Sequence, residues 1–337
     1  MKFYYLVRRL LVSRQNKNAT VSVPHKVKKE SFFSYVLAHK WLYILLIPGV
    51  TYMLIFKYLP MFGIVIAFQN FRPFAADTAI GAYLQSEFVG LANFKKFFTG
   101  YDFPMLLKNT LSISLLSLLL YFPAPIILAL LLNEIKSQGY KRVTQTFVYI
   151  PHFISLVIVA TLTQQLFSTS DGIIYKIMES VMGRANAPDI LANPKYFNAL
   201  IVGQNIWKET GYGTIVFLAA LSGVDMELYE AAKIDGAGRW RLMWHITLPA
   251  IRGTIVIMLI LRIGSILNTG HEQIFLMQND LNYSASEVFD TYIYNKGIKL
   301  AQYSLATAAG FFKSVVSLVL VLSANKIAKL FGESGFY

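Results

Sequence analysis

Residues 229–249 read Tyr-Glu-Ala-Ala-Lys-Ile-Asp-Gly-Ala-Gly-Arg-Trp-Arg-Leu-Met-Trp-His-Ile-Thr-Leu-Pro, between two long apolar stretches. Glu227 to Ile234 is made of good helix formers, with Glu near the start, where the helix dipole favours negative charge. Gly236 and Gly238 interrupt that helix and supply the backbone freedom for a sharp turn. A second short helix with Trp240, Leu242, Met243 and Trp244 follows, and Pro249 opens the next apolar stretch, where a missing N–H is tolerated. The spacing predicts two short amphipathic helices folded against the mouth of a helix bundle, with Glu230, Lys233, Asp235 and Arg239 facing outward. A rigid helix projecting from a bundle is suited to convey a push from a partner.

The rest of the chain says what kind of bundle this is. Its 337 residues are 55% hydrophobic and only 15% charged, with a mean hydropathy of +0.49. A soluble domain of this length carries more charge, so the surplus apolar surface is expected to face lipid. Six segments reach the roughly 20 residues a helix needs to cross a bilayer: 41–68, 106–133, 143–168, 198–223, 249–272 and 304–328. The expected fold is an all-α membrane protein, with one six-helix domain over 41–337 and the inner loop at 225–249. Lys57 and Pro60 make the first span either one long tilted helix or a broken one. Pro123 and Pro125 should kink the second, since each lacks an N–H donor.

Charge sets the expected orientation. Of the net +13, nine Lys or Arg fall in residues 1–40, a density that marks a cytoplasmic flank beside the first span rather than a nucleic-acid site. Arg8 and Arg9 interrupt the apolar stretch there, and no small-residue cleavage site follows, so the arm does not read as a signal peptide. Phe3, Leu6, Val7, Leu10 and Leu11 recur at helical spacing, which suits a helix on the inner membrane surface; a solvated basic tail is the alternative. An even number of spans returns the C-terminus, with Lys326 and Lys329, to the cytoplasm. The inner loops are then 134–142 and 224–248, and the outer ones 69–105, 169–197 and 273–303.

Other classes lack their residues. The sequence has no cysteine, so no disulfide framework, thiolate metal site or cysteine nucleophile is available. Its five histidines, at 25, 39, 152, 245 and 271, have neither an HExxH nor a GxSx setting, so neither an intramembrane enzyme nor a metal site is expected. No GxxxxGK[ST] loop is present, and ATP is not expected to bind this chain by that route.

The 229–249 stretch resembles the EAA loop of type I ABC importers that depend on a binding protein. Glu230, Ala231, Ala232, Gly236, Ile246, Leu248 and Pro249 match every element of that pattern at its spacing. The resemblance runs from about residue 35 to the C-terminus through Ala-Phe-Gln-Asn-Phe (67–71), Leu-Ala-Asn-Phe (91–94), Asn-Thr-Leu (109–111), Tyr-Ile-Pro-His-Phe-Ile-Ser (149–155) and Asp-Thr-Tyr-Ile-Tyr (290–294). These look like the carbohydrate-uptake branch, and within it the LplB-type and alginate-importer permeases. Two positions depart from the branch pattern: His271, where an aromatic is expected, and Arg262, where an apolar or small residue is usual. The resemblance implies that Glu230, Ala231, Ala232, Asp235, Gly236, Arg239, Leu248 and Pro249 couple to an ATPase. It also implies a second permease subunit that is a different chain, two ATPase subunits that use ATP and Mg, and an extracytoplasmic solute-binding protein. Two rivals are import of another solute, such as peptide, and a carrier acting alone, which should show inverted repeats and needs no coupling loop.

Polar residues within spans are costly in hydrocarbon and usually face a bundle interior. Arg262, Ser265, Asn268, Thr269 and Glu272 fall three or four apart, which on a continuous helix puts them on one face, with Arg262 about 15 Å below Glu272. With these, Gln165, Asn205, Trp207, Lys208 and His271 offer the amide, carboxylate, cation and aromatic groups that sugars bind. The same groups would equally serve by pairing with one another or with a second subunit, and Trp207 by packing. Arg262, Lys208 and His271 together point to an acidic oligosaccharide.

Overall fold

The structure is a computed structural model that describes residues 32–332 and 335; the surface helix expected near the N-terminus lies outside them. The chain divides into two compact units, Met1–Phe62 and Gly63–Tyr337. In the first, helix Phe32–Ala38 precedes Lys40–Met53, which passes into a π-helical turn, Leu54–Tyr58. Neither of the latter two elements buries a residue, and Leu45 is 78% exposed. A helix this apolar and this bare is suited to hydrocarbon on every side.

Three helices are long and apolar enough to cross a membrane unaided: Lys40–Phe68, Asp102–Asn133 and Tyr303–Leu330; two bent pairs raise the number to five among the described residues. A further helix, Pro194–Ser222, has 29 residues. Its middle carries Gln204, Asn205, Lys208 and Glu209, so it has the length of a span and not the uniform apolarity.

In the second unit the expected kink at Pro123 takes the form of a π-turn, Ser117–Tyr121, after which Pro123 opens helix Pro123–Asn133. The turn closes through Phe122 N–H donating to the Ser117 carbonyl at 3.0 Å, and the proline falls where no N–H is needed.

Two of the expected continuous spans are broken. The third bends by 94° between Gln138–Phe153 and Leu156–Phe167. Pro151 lies in a 3-10 turn, Ile150–Phe153, and Ser155 restarts the helix by accepting the Ile158 N–H on its Oγ. The fifth bends by 60° after Pro249, between Arg239–Ala250 and Arg252–Gly264. It then stops at Gly264, well short of residue 272, and a new helix, His271–Met277, starts after Gly270 at φ +80°. The single helical face assigned to Arg262, Ser265, Asn268, Thr269 and Glu272 therefore does not exist. The break is held by tertiary bonds: Ser114 Oγ donates to the Ile266 carbonyl, and Thr269 N–H donates to Asp290.

The segments expected as outer loops are themselves folded. Gln69–Asn70 pairs antiparallel with Glu87–Phe88. Residues 271–299 form short helices, including Phe289–Tyr294, whose Phe289 and Tyr292 join Phe97, Leu106, Leu305 and Ala309 in a buried cluster. Burial pushes the Tyr292 hydroxyl up to about 12, helped by Asp102 and neighbouring acidic groups. A second cluster joins the third and fourth spans to His271–Met277 through Ala160, Phe197, Ile201, Ile274 and Met277; a third, with Ile126, Ala129, Phe217, Leu221 and Ile251, lies at the end of the bundle next to the 225–249 loop.

Candidate functional site

The inner loop has the expected form. Asp225 caps helix Met226–Ile234 by accepting the Glu227 N–H at 2.9 Å. At the other end Gly236 takes φ +77°, while Ala237 N–H donates to the Ala232 carbonyl at 2.9 Å and Gly236 N–H to Lys233 at 3.0 Å. These two bonds make the left-handed helix stop that glycine accommodates without strain. The chain then turns into Arg239–Leu242. Glu230, Ala231, Asp235, Gly236 and Arg239 are exposed and Ala232 is half-buried, beside Ile234 at 87% and Trp240 at 74% exposure. At the base, Leu248 packs on the Phe217–Leu221–Ile251 cluster, Tyr229 Oη meets Thr247 Oγ1 at 3.0 Å, and Pro249 is exposed. The result is a stiff projection whose apolar and charged side chains Ile234, Trp240, Glu230 and Arg239 are exposed among the described residues.

The second feature is a cavity of about 350 Å3 inside the bundle. Asn205 and Glu209 reach it from Pro194–Ser222, Ser114, Ser117 and Tyr121 from the second span, and Arg262 from the end of Arg252–Gly264. The break after Gly264 supplies Asn268 and Thr269, and the new helix supplies His271, Glu272 and Gln273. The guanidinium of Arg262 stands 5.2 Å over the Tyr121 ring, and no carboxylate of the described residues pairs with it. The cavity wall thus offers a cation, two carboxylates, amides, hydroxyls and an aromatic face.

Of the eight expected path residues, the structure brings together Asn205, Arg262, Asn268, His271 and Glu272, and separates three. Lys208 is buried and paired: its Nζ donates at 2.8 Å to both the His152 carbonyl and Glu209 Oε1. Trp207 points elsewhere, into an apolar groove lined also by Leu162, Leu166 and Leu200. Gln165, exposed near the end of the third span, does not line the cavity.

Sequence reasoning missed the group behind Glu209. His152 Nδ1 lies 2.6 Å from Glu209 Oε2, and its ring stacks on Tyr212 with centroids 3.9 Å apart. His152 belongs to the break in the third span, so the unusual Pro-His pair at 151–152 was the available signal. Gln273 was also overlooked. Its Nε2 donates to Gln204 Oε1 at 2.8 Å, and Gln204 in turn donates to Thr163 at 2.7 Å, which pins the His271–Met277 helix to two spans.

The family model described as binding-protein-dependent transport system inner membrane component matches residues 121–332, which take in the loop and most of the cavity. Protein LplB of Bacillus subtilis (strain 168) is 52% identical over 91% of this chain and 94% of its own. The polygalacturonan/rhamnogalacturonan transport system permease protein YteP of the same strain is 47% identical over 93% of this chain and 95% of its own. Among solved structures, a chain of a bacterial alginate ABC transporter, in complex with an alginate pentasaccharide-bound periplasmic protein, superposes with a TM-score of 0.81. The two are 39% identical, and the match covers 90% of this chain and 99% of that one.

Proposed function

The chain belongs to the binding-protein-dependent transport system inner membrane components, and we propose that it is the permease subunit of an ATP-driven importer for oligosaccharides, acidic ones in particular. It is a multi-pass membrane protein and a transport subunit rather than an enzyme. Both termini and the 225–249 loop face the cytoplasm, as the basic residues of the arm favour. The loop docks on one of two separate ATPase subunits, which bind ATP and Mg. A second permease, a different chain, closes the other half of the pathway, and an extracytoplasmic solute-binding protein delivers the sugar.

The exposed loop carries this reading. Closure of the ATPases on ATP pushes Met226–Ile234; the push passes through Leu248 and the 60° bend into Arg252–Gly264, whose far end holds Arg262 and the break that lines the cavity. The helix–turn–helix thus connects a cytoplasmic lever to the substrate wall through one continuous stretch of chain. Glu230 orients contacts to the ATPase, and Gly236 permits the turn.

The substrate class is supported by the polygalacturonan/rhamnogalacturonan and alginate named for two of the similar proteins and by Arg262, which among the described residues lines the cavity unpaired by a carboxylate. Arg262 over Tyr121 suits a sugar carboxylate held against an aromatic face; Lys208 is committed to Glu209 and does not add to it. The test is uptake of uronate and neutral oligosaccharides by the assembled transporter in proteoliposomes. Preference for uronates, lost in Arg262→Ala, is the expected result. Preference for neutral sugars with no effect of that variant contradicts the acidic substrate, and uptake without the ATPase contradicts the importer.

A further inference from the structure

Asp290 and Lys313 form an ion pair inside the bundle, Lys313 lying ten residues into the Tyr303–Leu330 helix. Their side chains keep only 16% and 13% exposure. Asp290 has a second task. Its Oδ2 accepts the Thr269 N–H at 3.0 Å and the Thr269 hydroxyl at 3.4 Å. Thr269 stands in the non-helical stretch between Gly264 and His271, with cavity-lining Asn268 on one side and Gly270, at φ +80°, on the other. A backbone N–H in a helix break has lost its intrahelical acceptor and needs another when it is away from water. Asp290 is that acceptor, and Lys313 is the counter-charge that keeps a largely buried carboxylate tolerable.

We infer that Asp290 is a positioning residue for the substrate cavity: it fixes the 265–270 break so that Asn268, Thr269, His271 and Glu272 face the cavity, with Lys313 holding the Asp290 carboxylate in place. The inference rests on reading that cavity as the substrate path. It also gives a task to the first residue of the Asp-Thr-Tyr-Ile-Tyr motif at 290–294, which the coupling mechanism leaves unused. A merely structural ion pair would need both charges; a positioning acceptor needs the oxygen.

The chain has no cysteine, so Asn268→Cys is its one thiol, and labelling by a water-soluble thiol reagent in the assembled transporter reports the cavity wall when read on this chain separated from its partners. Two double variants are compared in that background for labelling and, without the cysteine, for uptake. Asp290→Asn with Lys313→Met keeps the acceptor and removes both charges; labelling and uptake should stay within threefold of the unaltered chain. Asp290→Leu with Lys313→Met removes the acceptor too; uptake should fall at least tenfold and the labelling rate at Asn268→Cys should change at least threefold. Unchanged labelling in the Leu variant overturns the inference, as does an Asn variant that falls as far as the Leu one. Should the Leu variant fail to assemble, the Asn variant decides alone: retention of both readouts supports the role and loss of either overturns it. Asn268→Ala in the same uptake assay separates the two readings. If it transports normally, the cavity is not the substrate path, while the labelling comparison still judges the clamp.

Discussion

The inner loop and the cavity are held in shape by opposite means. Within 225–249 the bonds that set the geometry are local: Asp225 to Glu227, Ala237 to Ala232, Gly236 to Lys233. Its outward side chains, Glu230, Ile234, Asp235, Arg239 and Trp240 among them, are exposed. The cavity wall is fixed by bonds across long stretches of sequence, from Ser114 to Ile266, Thr269 to Asp290, Gln273 to Gln204 and Lys208 to His152. On the proposed function this division is useful: a loop that docks on an ATPase is prebuilt from its own chain, and a cavity that opens and closes around a sugar is held by contacts between different spans. The loop should therefore be sensitive to backbone conformation and the cavity to the loss of single partners.

Gly236→Pro attacks the loop at its one left-handed residue, because proline holds φ near −65°. Membrane insertion should be unaffected while uptake falls by at least about 100-fold and ATP hydrolysis no longer tracks it; uptake at the unaltered level would show the turn to be incidental. Behind the cavity wall, Lys208→Met leaves the lining residue Glu209 with His152 alone. The cost should be up to about 3 kcal/mol, the low end for a broken buried pair, because Glu209 keeps 28% exposure. Thermal unfolding in detergent measures it. Gly211→Ala should cost about 2 kcal/mol by overpacking, since a Cβ there would lie 1.8 Å from the Val148 carbonyl oxygen; the same melting experiment reads it. Arg262→Ala should lower uptake of a uronate oligosaccharide about tenfold, which is about 1.4 kcal/mol, with smaller loss for a neutral one. Gln165→Ala, outside the cavity, should change uptake less than about twofold, the range of an ordinary surface substitution.

The same contrast explains what was legible in the sequence. Helix propensity, a Glu near the helix start, two glycines and a proline mark the loop within about 25 residues of chain, and the helices and the turn lie where that local chemistry places them. The break at 265–270 was not readable, because Ser-Ile-Leu-Asn-Thr-Gly continues an apolar helix as readily as it ends one. Gly270 was the single local signal, and the decisive acceptor, Asp290, lies 21 residues on. Pro151 and Ser155 are the local residues at the break in the third span, set within an apolar run that by itself reads as one helix. Lys208 reads from the sequence as either a lining or a paired group, because its neighbour Glu209 is adjacent on the helix, where side chains do not ordinarily face each other. Its pairing becomes possible when His152, 56 residues earlier, supplies a carbonyl beneath it. Lys313 was hidden in an apolar helix that passed as a span.

The decisive measurement uses the absence of native cysteine. With Ile234→Cys in the loop, modified by a short reagent carrying a maleimide for that thiol and a photoactivated group that inserts into neighbouring C–H bonds, the assembled transporter should yield a cross-link to the ATPase subunit whose yield ATP binding changes, and the residue should be labelled only from the cytoplasmic side. Labelling from outside the cell, or a fully assembled transporter in which this position never cross-links to the ATPase, would contradict the role of the 225–249 lever.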